Sequence, residues 1–276
     1  MAQASGFRIN TNVSALNAYN ALMDINRQIG SHQLALASGK RINSVADDPA
    51  GFTIARKLQA RSLGIGQALN NVGDAKSVLS TAEGGLQNIS DILISIKEKV
   101  TQATNGSMGT TELSAIVTQV QDFATEIDSI VAQTTFNGQM LLNNNFTNKT
   151  FQIGADSSDT LTFSLTATIS SSDLGLDSLS TANIGSSTTL ASVDSAIDKI
   201  STELQGVGSL LSRLDFTESN LSVQQTNMDA AASQIYDADM AKEQLNLTKL
   251  NILQQTAVAQ LTQANAAPNI VLQLFR

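Results

Sequence analysis

The 276-residue chain has no Cys and no Trp, one His, two Pro, and aromatic side chains at only 4% of its positions. Without Cys there is neither a disulfide framework nor a thiolate metal site, whatever the compartment. A formal net charge of -8 leaves no basic surplus for a nucleic-acid partner. No run of about eighteen apolar residues exists, so nothing is expected to span or insert into a membrane. Met1 to Arg8 lacks the basic start and apolar run of a cleavable signal. On these rules the chain is expected in the cytosol, unless it leaves by a route that uses no signal peptide.

What remains is 42% hydrophobic, dominated by Ala, Leu, Ile and Val with Asn, Gln, Ser and Thr. Its strongest signal is a series at alternating threes and fours: Ile65, Ala68, Val72, Ala75, Leu79, Ala82, Leu86, Ile89, Leu93, Ile96, Val100 and Ala103. Residues so spaced share one helix face, and a seven-residue repeat predicts a left-handed twist about a partner helix. At ~1.5 Å per residue the seam is roughly 60 Å long, which predicts a rod. Asp48-Pro49 supplies an N-cap carboxylate followed by proline at the first helical position, so one helix is expected from Pro49 to about Ala103.

Other seams follow the same rule. An N-terminal helix is expected to start near Asn10 to Asn12, with Ala15, Ala18, Leu22, Ile25, Ile29, His32 and Leu36 on one face. After Asn105-Gly106-Ser107-Met108-Gly109, a helix with Leu113, Ile116, Val120, Phe123, Ile127 and Ile130 completes an antiparallel hairpin. Asn137-Gly138 is a turn signal and Asn143-Asn144-Asn145 reads as loop. Phe151-Gln152-Ile153 and Leu161 to Leu165 alternate with period two across a polar turn, predicting a β-hairpin. The hydroxyl-rich stretch from Ser170 to Thr189 reads as surface loop. Helical period resumes at Leu190 with Val193, Ile197, Ile200, Leu204, Val207, Leu211, Leu214 and Leu221, the expected cover for the 65–103 seam. The fold class is therefore mainly α: a long antiparallel coiled-coil or helical-bundle rod with a small β-hairpin region in mid-chain.

Both ends are nearly free of charge. Up to Met23 only Arg8 is charged, and from Leu250 to Phe275 nothing is. A surface helix of a monomer carries charge on its wet face. These ends mix Leu, Ile and Ala with amides instead, so they are expected to meet each other and then further subunits.

Several stretches then carry a resemblance. They are Ile9-Asn10-Thr11-Asn12, Leu36-Ala37-Ser38-Gly39-Lys40-Arg41-Ile42-Asn43-Ser44, Asp47-Asp48-Pro49-Ala50-Gly51, Thr81-Ala82-Glu83-Gly84-Gly85-Leu86 and Thr135-Phe136-Asn137-Gly138. Asn220-Leu221-Ser222, Ala238-Asp239-Met240-Ala241-Lys242-Glu243 and Gln263-Ala264-Asn265 follow in the same order. Together they resemble bacterial flagellin, over the first ~150 and last ~90 residues.

The resemblance implies a non-catalytic subunit with no cofactor or metal, polymerising into the flagellar filament for swimming motility. It implies unfolded export through the flagellar type III apparatus, and an extracellular location reached without a cleaved signal peptide. The implied partners are many copies of the same chain, the export apparatus, an export chaperone, and cap and hook-junction proteins. The implied organisation is an N-terminal inner-core helix (1–39), a connector and the first part of an outer helical domain (40–133), and a reduced variable β and loop region (134–189). The second part of the outer domain (190–235) and a C-terminal inner-core helix (236–276) complete it. Leu22, Ile25, Ile29, Leu250, Leu253, Ala257 and Leu261 are expected in the inner coil, and Arg41, Asn43, Asp47 and Asp48 in the connector.

Two departures stand out. The family often has Arg where Tyr236 stands, so an ion pair there is lost. The stretch recognised by an innate immune receptor in many members corresponds to Leu93, Ser95, Glu98, Lys99 and Gln102 and their neighbours, with Ser95 in place of a usual Arg and Lys99 of a usual Leu. Weakened recognition is expected, since a bidentate donor and an apolar anchor are both missing.

Plain structural explanations cover the remaining features. His32 sits on a seam with no partner spaced for metal or base chemistry, and Asp47-Asp48 suits helix capping better than a cation. Gly64-Ile65-Gly66 lacks the third glycine of a dinucleotide fingerprint, and no H-E-x-x-H is present. The Asn145 and Asn148 sequons and the hydroxyls at 170–172 and 186–189 are candidate glycan sites, or simply polar loop. A hook–filament junction protein, or a surface adhesin or carbohydrate-binding module using residues 134–189, are the alternative functions.

Overall fold

All twelve residues of the Ile65–Ala103 series are buried, eleven of them at 1% exposure or less. They lie on α2 (Pro49–Ala103), one uninterrupted helix. In this computed structural model residues 11–143, 146–164, 169–176 and 179–274 are described. The helices are α1 (Val13–Ser38), α2, α3 (Thr110–Gln133), α4 (Ser187–Tyr236) and α5 (Met240–Leu274). Two antiparallel strand pairs stand between α3 and α4, β1 (Thr135–Phe136) with β2 (Gln139–Met140) and β3 (Lys149–Gln152) with β4 (Thr160–Phe163). The chain divides into two compact units, residues 1–60 with 228–276 and residues 61–227, so the division falls inside α2 and α4.

In the 61–227 unit the α2 seam is covered by α4, which runs antiparallel to it. Lys76 reaches Asp215 and Glu218, and Lys97 reaches Asp194. On α4 the fully covered positions Val193, Ile200, Val207, Leu214 and Leu221 recur every seventh residue, while Ile197, Leu204 and Leu211 are half-buried. Helix α4 begins at Ser187, three residues before the expected Leu190, because Ser186 Oγ accepts from Thr189 N–H (3.3 Å) and caps it.

Helix α3 returns along α2 after the loop at 104–109. Its buried stripe is Ile116, Val117, Val120, Ala124, Ile127 and Val131. The expected Leu113, Phe123 and Ile130 lie at the stripe's edge and are half-buried. Where α3 ends, Thr134 Oγ1 would come within 2.7 Å of any β-carbon at position 85, so only Gly85 allows this approach.

Asn137 (φ 49°) and Gly138 (φ 75°) form the two-residue turn joining β1 and β2, as the mirror-image turns of tight hairpins require. The predicted β-hairpin is present as β3 and β4, with Phe151 paired to Leu161. Phe163 stacks on Phe151 (centroids 5.1 Å apart) and meets Phe146 at 5.7 Å, making a small aromatic core. Asn71 Nδ2 donates to the Gln152 carbonyl (3.0 Å), tying the hairpin to α2.

The 170–189 stretch corrects the expected surface loop. Before α4 begins, its described residues 170–176 and 179–186 form no helix or strand, yet Leu174, Leu176, Leu179 and Ile184 are buried. Asp128 on α3 anchors it by accepting from Ser171 N–H (2.8 Å) and Ser171 Oγ (2.7 Å). Ile9, Asn10, Asn144, Asn145 and Leu165 lie outside the described residues.

Candidate functional site

The chain's two ends meet in the other unit. Helix α1 begins at Val13 because Asn12 Oδ1 accepts from Ala15 N–H (3.0 Å). It ends at Gly39, which takes the left-handed conformation and donates to the Ala35 carbonyl. Helix α5 begins after Asp239, whose Oδ1 accepts from Ala241 and Lys242 N–H. The two helices pair antiparallel along their seams. Asn12 Nδ2 donates to the Ala264 carbonyl (2.7 Å), and Gln254 Nε2 to Asn26 Oδ1 (2.6 Å).

Six of the seven expected inner-coil residues lie on this pairing face. Ile29 and Leu250 are buried, and Leu22, Ile25, Ala257 and Leu261 are half-buried. Leu253 is 40% exposed and lies off the pairing face, where the seam position beside it is taken by Gln254. His32 keeps its seam position but has a partner that spacing did not reveal, since its Nδ1 meets Glu243 of α5 across 211 residues of sequence.

Away from the pairing seam both helices expose large apolar side chains. On α1 Val13, Leu16, Tyr19, Met23 and Leu34 are exposed, and on α5 Leu245 (71%), Ile252 (60%) and Val258 are. An ordered helix with one seam buried and a second row of large apolar side chains in water has a second face to cover.

The connector is fixed by short polar contacts within the same unit. Arg41 donates twice across it, from N–H to the Tyr236 carbonyl and from Nη2 to the Ile235 carbonyl, both at 2.7 Å. Asn43 Nδ2 donates to the Lys40 carbonyl (3.0 Å). Asp47 Oδ2 accepts from the backbone N–H of Ser44 (2.8 Å) and Asn43 (3.0 Å), and these bonds, Ser44 first, hold its carboxyl below the ordinary 3.8. Asp48 Oδ1 accepts from Gly51 N–H (2.9 Å), capping α2 as the sequence predicts. Gly51 itself is required by close approach, since a β-carbon there would overlap Asp48 and Ile42.

Tyr236 makes ring contacts in place of an ion pair. Lys40 Nζ lies 4.9 Å from the centre of its ring, Phe52 packs against it at 6.1 Å, and Arg56 sits 5.5 Å over Phe52. Two packed rings thus lie between two cations, each cation over the face of one ring, where the ring's negative face attracts it. Among the described residues, no group of three or more metal-ligating side chains exists, and no helix is long and apolar enough to cross a membrane.

The sequence of this chain matches known proteins over both of its terminal regions. Residues 9–147 match the bacterial flagellin N-terminal helical region, and residues 190–275 the bacterial flagellin C-terminal helical region. The chain belongs to the bacterial flagellin family. It is 36% identical over 271 residues to a flagellin of Halalkalibacterium halodurans, covering 97% of this chain and 99% of that one. It is also 36% identical to a flagellin of Bacillus subtilis over 305 aligned positions, covering 98% and 100%. A hook-associated protein structure from Vibrio parahaemolyticus shares the fold, with 16% identity and a TM-score of 0.54 over 68% of this chain and all of that one. Flagellins are structural proteins that polymerise into the extracellular flagellar filament, not enzymes.

In the stretch Leu93 to Gln102, Leu93 is sealed in the α2 seam, Ser95 and Lys99 are half-buried, and Glu98 and Gln102 face solvent. Ser95 Oγ donates back to the Asp91 carbonyl (3.0 Å), so its short side chain is turned onto its own helix.

Proposed function

We propose that this chain is exported unfolded through the flagellar type III apparatus without a cleaved signal, and polymerises into a filament that drives swimming. An export chaperone, the cap and the hook-junction proteins are its transient partners. The inner coil of each subunit uses Leu22, Ile25, Ile29, Leu250, Ala257 and Leu261. Arg41, Asn43, Asp47 and Asp48 hold the connector. The observation that supports this best is the uncovered apolar row on α1 and α5, running through Leu16, Met23, Leu245 and Ile252. Covering such a row removes apolar surface from water at about 25 cal/mol per Å², and a neighbouring copy offers the same kind of surface.

Electron microscopy of seeded assembly tests the reading. Replacing Leu245 and Ile252 by Ser should abolish filaments while the helical circular dichroism of the soluble subunit is unchanged. Filaments of normal length and yield from that variant would sink it.

A further inference from the structure

We propose that Asn105 is a self-modifying site, where the side-chain amide is lost to attack by the Gly106 backbone nitrogen. The site lies in the loop between α2 and α3, and Asn105, Gly106 and Ser107 are all exposed. Two donors of Ser107 converge on Asn105 Oδ1, the N–H at 3.3 Å and Oγ at 3.1 Å. Negative charge develops on that oxygen when a nucleophile adds to Cγ, so the pair stabilises the tetrahedral intermediate as an oxyanion hole does. The nucleophile is the next amide nitrogen. Gly106 has no β-carbon to shield it, and among the described residues its N–H donates to no acceptor.

Hydroxide removes the Gly106 amide proton, the nitrogen bonds to Asn105 Cγ, and the Cγ–Nδ2 bond breaks. Nδ2 takes a proton from water and leaves as ammonia, closing a five-membered imide. Water then opens either carbonyl of the ring, to aspartate or to isoaspartate. One water is consumed and one ammonia released, with no oxidant or reductant.

The second Asn-Gly pair sharpens the argument. Asn137 and Gly138 are as exposed as Asn105 and Gly106, but they form the turn of a hairpin whose next residues, Phe136 and Gln139, are paired. Closing the imide turns the Asn peptide about its Cα–C bond, and in the hairpin that motion breaks the β1–β2 pairing. In the 104–109 loop the Asn105 carbonyl accepts one backbone bond, from Met108 N–H (3.1 Å), and that bond breaks. Identical dipeptides therefore have different barriers. The product places a carboxylate just past the C-terminus of α2, where the helix dipole disfavours negative charge, so modification loosens the α2–α3 loop.

The full-length chain, incubated for days at mildly alkaline pH, is followed by intact mass, peptide mapping and isoaspartyl-methyltransferase labelling. Asn105 should convert about tenfold faster than Asn137, the ratio expected when the barriers differ by about one hydrogen bond. Ser107→Ala should slow Asn105 several-fold. Gly106→Ala should slow it further without unfolding the loop, because the added methyl meets nothing within 4 Å. Equal rates at Asn105 and Asn137, or an unchanged Asn105 rate in Ser107→Ala, would overturn the assignment.

Discussion

The Nζ of Lys76 on α2 lies 2.6 Å from a carboxylate oxygen of Asp215 on α4. Lys97 stands three heptads further along α2, and its partner Asp194 stands three heptads back along α4, at 2.7 Å. The two ion pairs thus repeat at the same interval as the apolar seam they flank, and both report the same antiparallel register.

That arrangement has a pH signature. Hydrogen bonds to Asp215 first and Glu218 second raise the Lys76 pKa above its ordinary 10.5. A raised folded-state pKa means the contribution is fully present below the unfolded value and is lost as pH rises through the folded one. Urea midpoints of the wild type should therefore fall more steeply above pH 10.5 than those of Lys76→Met. Added salt should narrow the gap between the two proteins at neutral pH.

The seam itself carries far more. Leu86 is fully buried, and Leu86→Ala should cost about 2–5 kcal/mol in urea denaturation, as core truncations do. Leu63, on the same helix but 71% exposed, should tolerate Ala within about 0.5 kcal/mol.

Two adjacent glycines of α2 should respond with opposite signs. A β-carbon at Gly84 meets nothing, so Gly84→Ala should stabilise by about 0.5–1 kcal/mol through helix propensity. A β-carbon at Gly85 meets Thr134 and Leu142, so Gly85→Ala should destabilise by about 1–3 kcal/mol. Thermal melts of the two variants beside the wild type decide the point.

Cells expressing the flagellin-sensing immune receptor should respond weakly to the soluble subunit. With Ser95 bonded to its own helix and Lys99 in place of an apolar side chain, positions 95 and 99 supply neither a forked donor nor an apolar anchor. Ser95→Arg with Lys99→Leu should raise the response in a reporter assay. A full response from the unmodified chain would contradict this.

Strict periodicity made α2 and most of α4 readable from the chain alone, because every seventh residue repeats one environment. The limits of that method show at particular residues. Gln254 is a polar group at a seam position, so a search for apolar letters picks its neighbour Leu253 instead. Leu174, Leu176, Leu179 and Ile184 are buried by irregular turns, hung from Asp128 by Ser171, and have no period to find. Strands of two residues, such as Thr135–Phe136, are too short to alternate. The Tyr236 ring stack and the His32–Glu243 pair join residues about 200 positions apart, and no local pattern contains them.

The amides of the terminal pair set its alignment. From Leu250 onward α5 has no charge to distinguish one heptad from the next, so apolar contacts alone would tolerate a slip of seven residues. Asn12 to Ala264, Asn26 to Gln254 and His32 to Glu243 form together in one alignment only. They work as the teeth of a key: a shifted pair of ends would keep its grease and lose its fit.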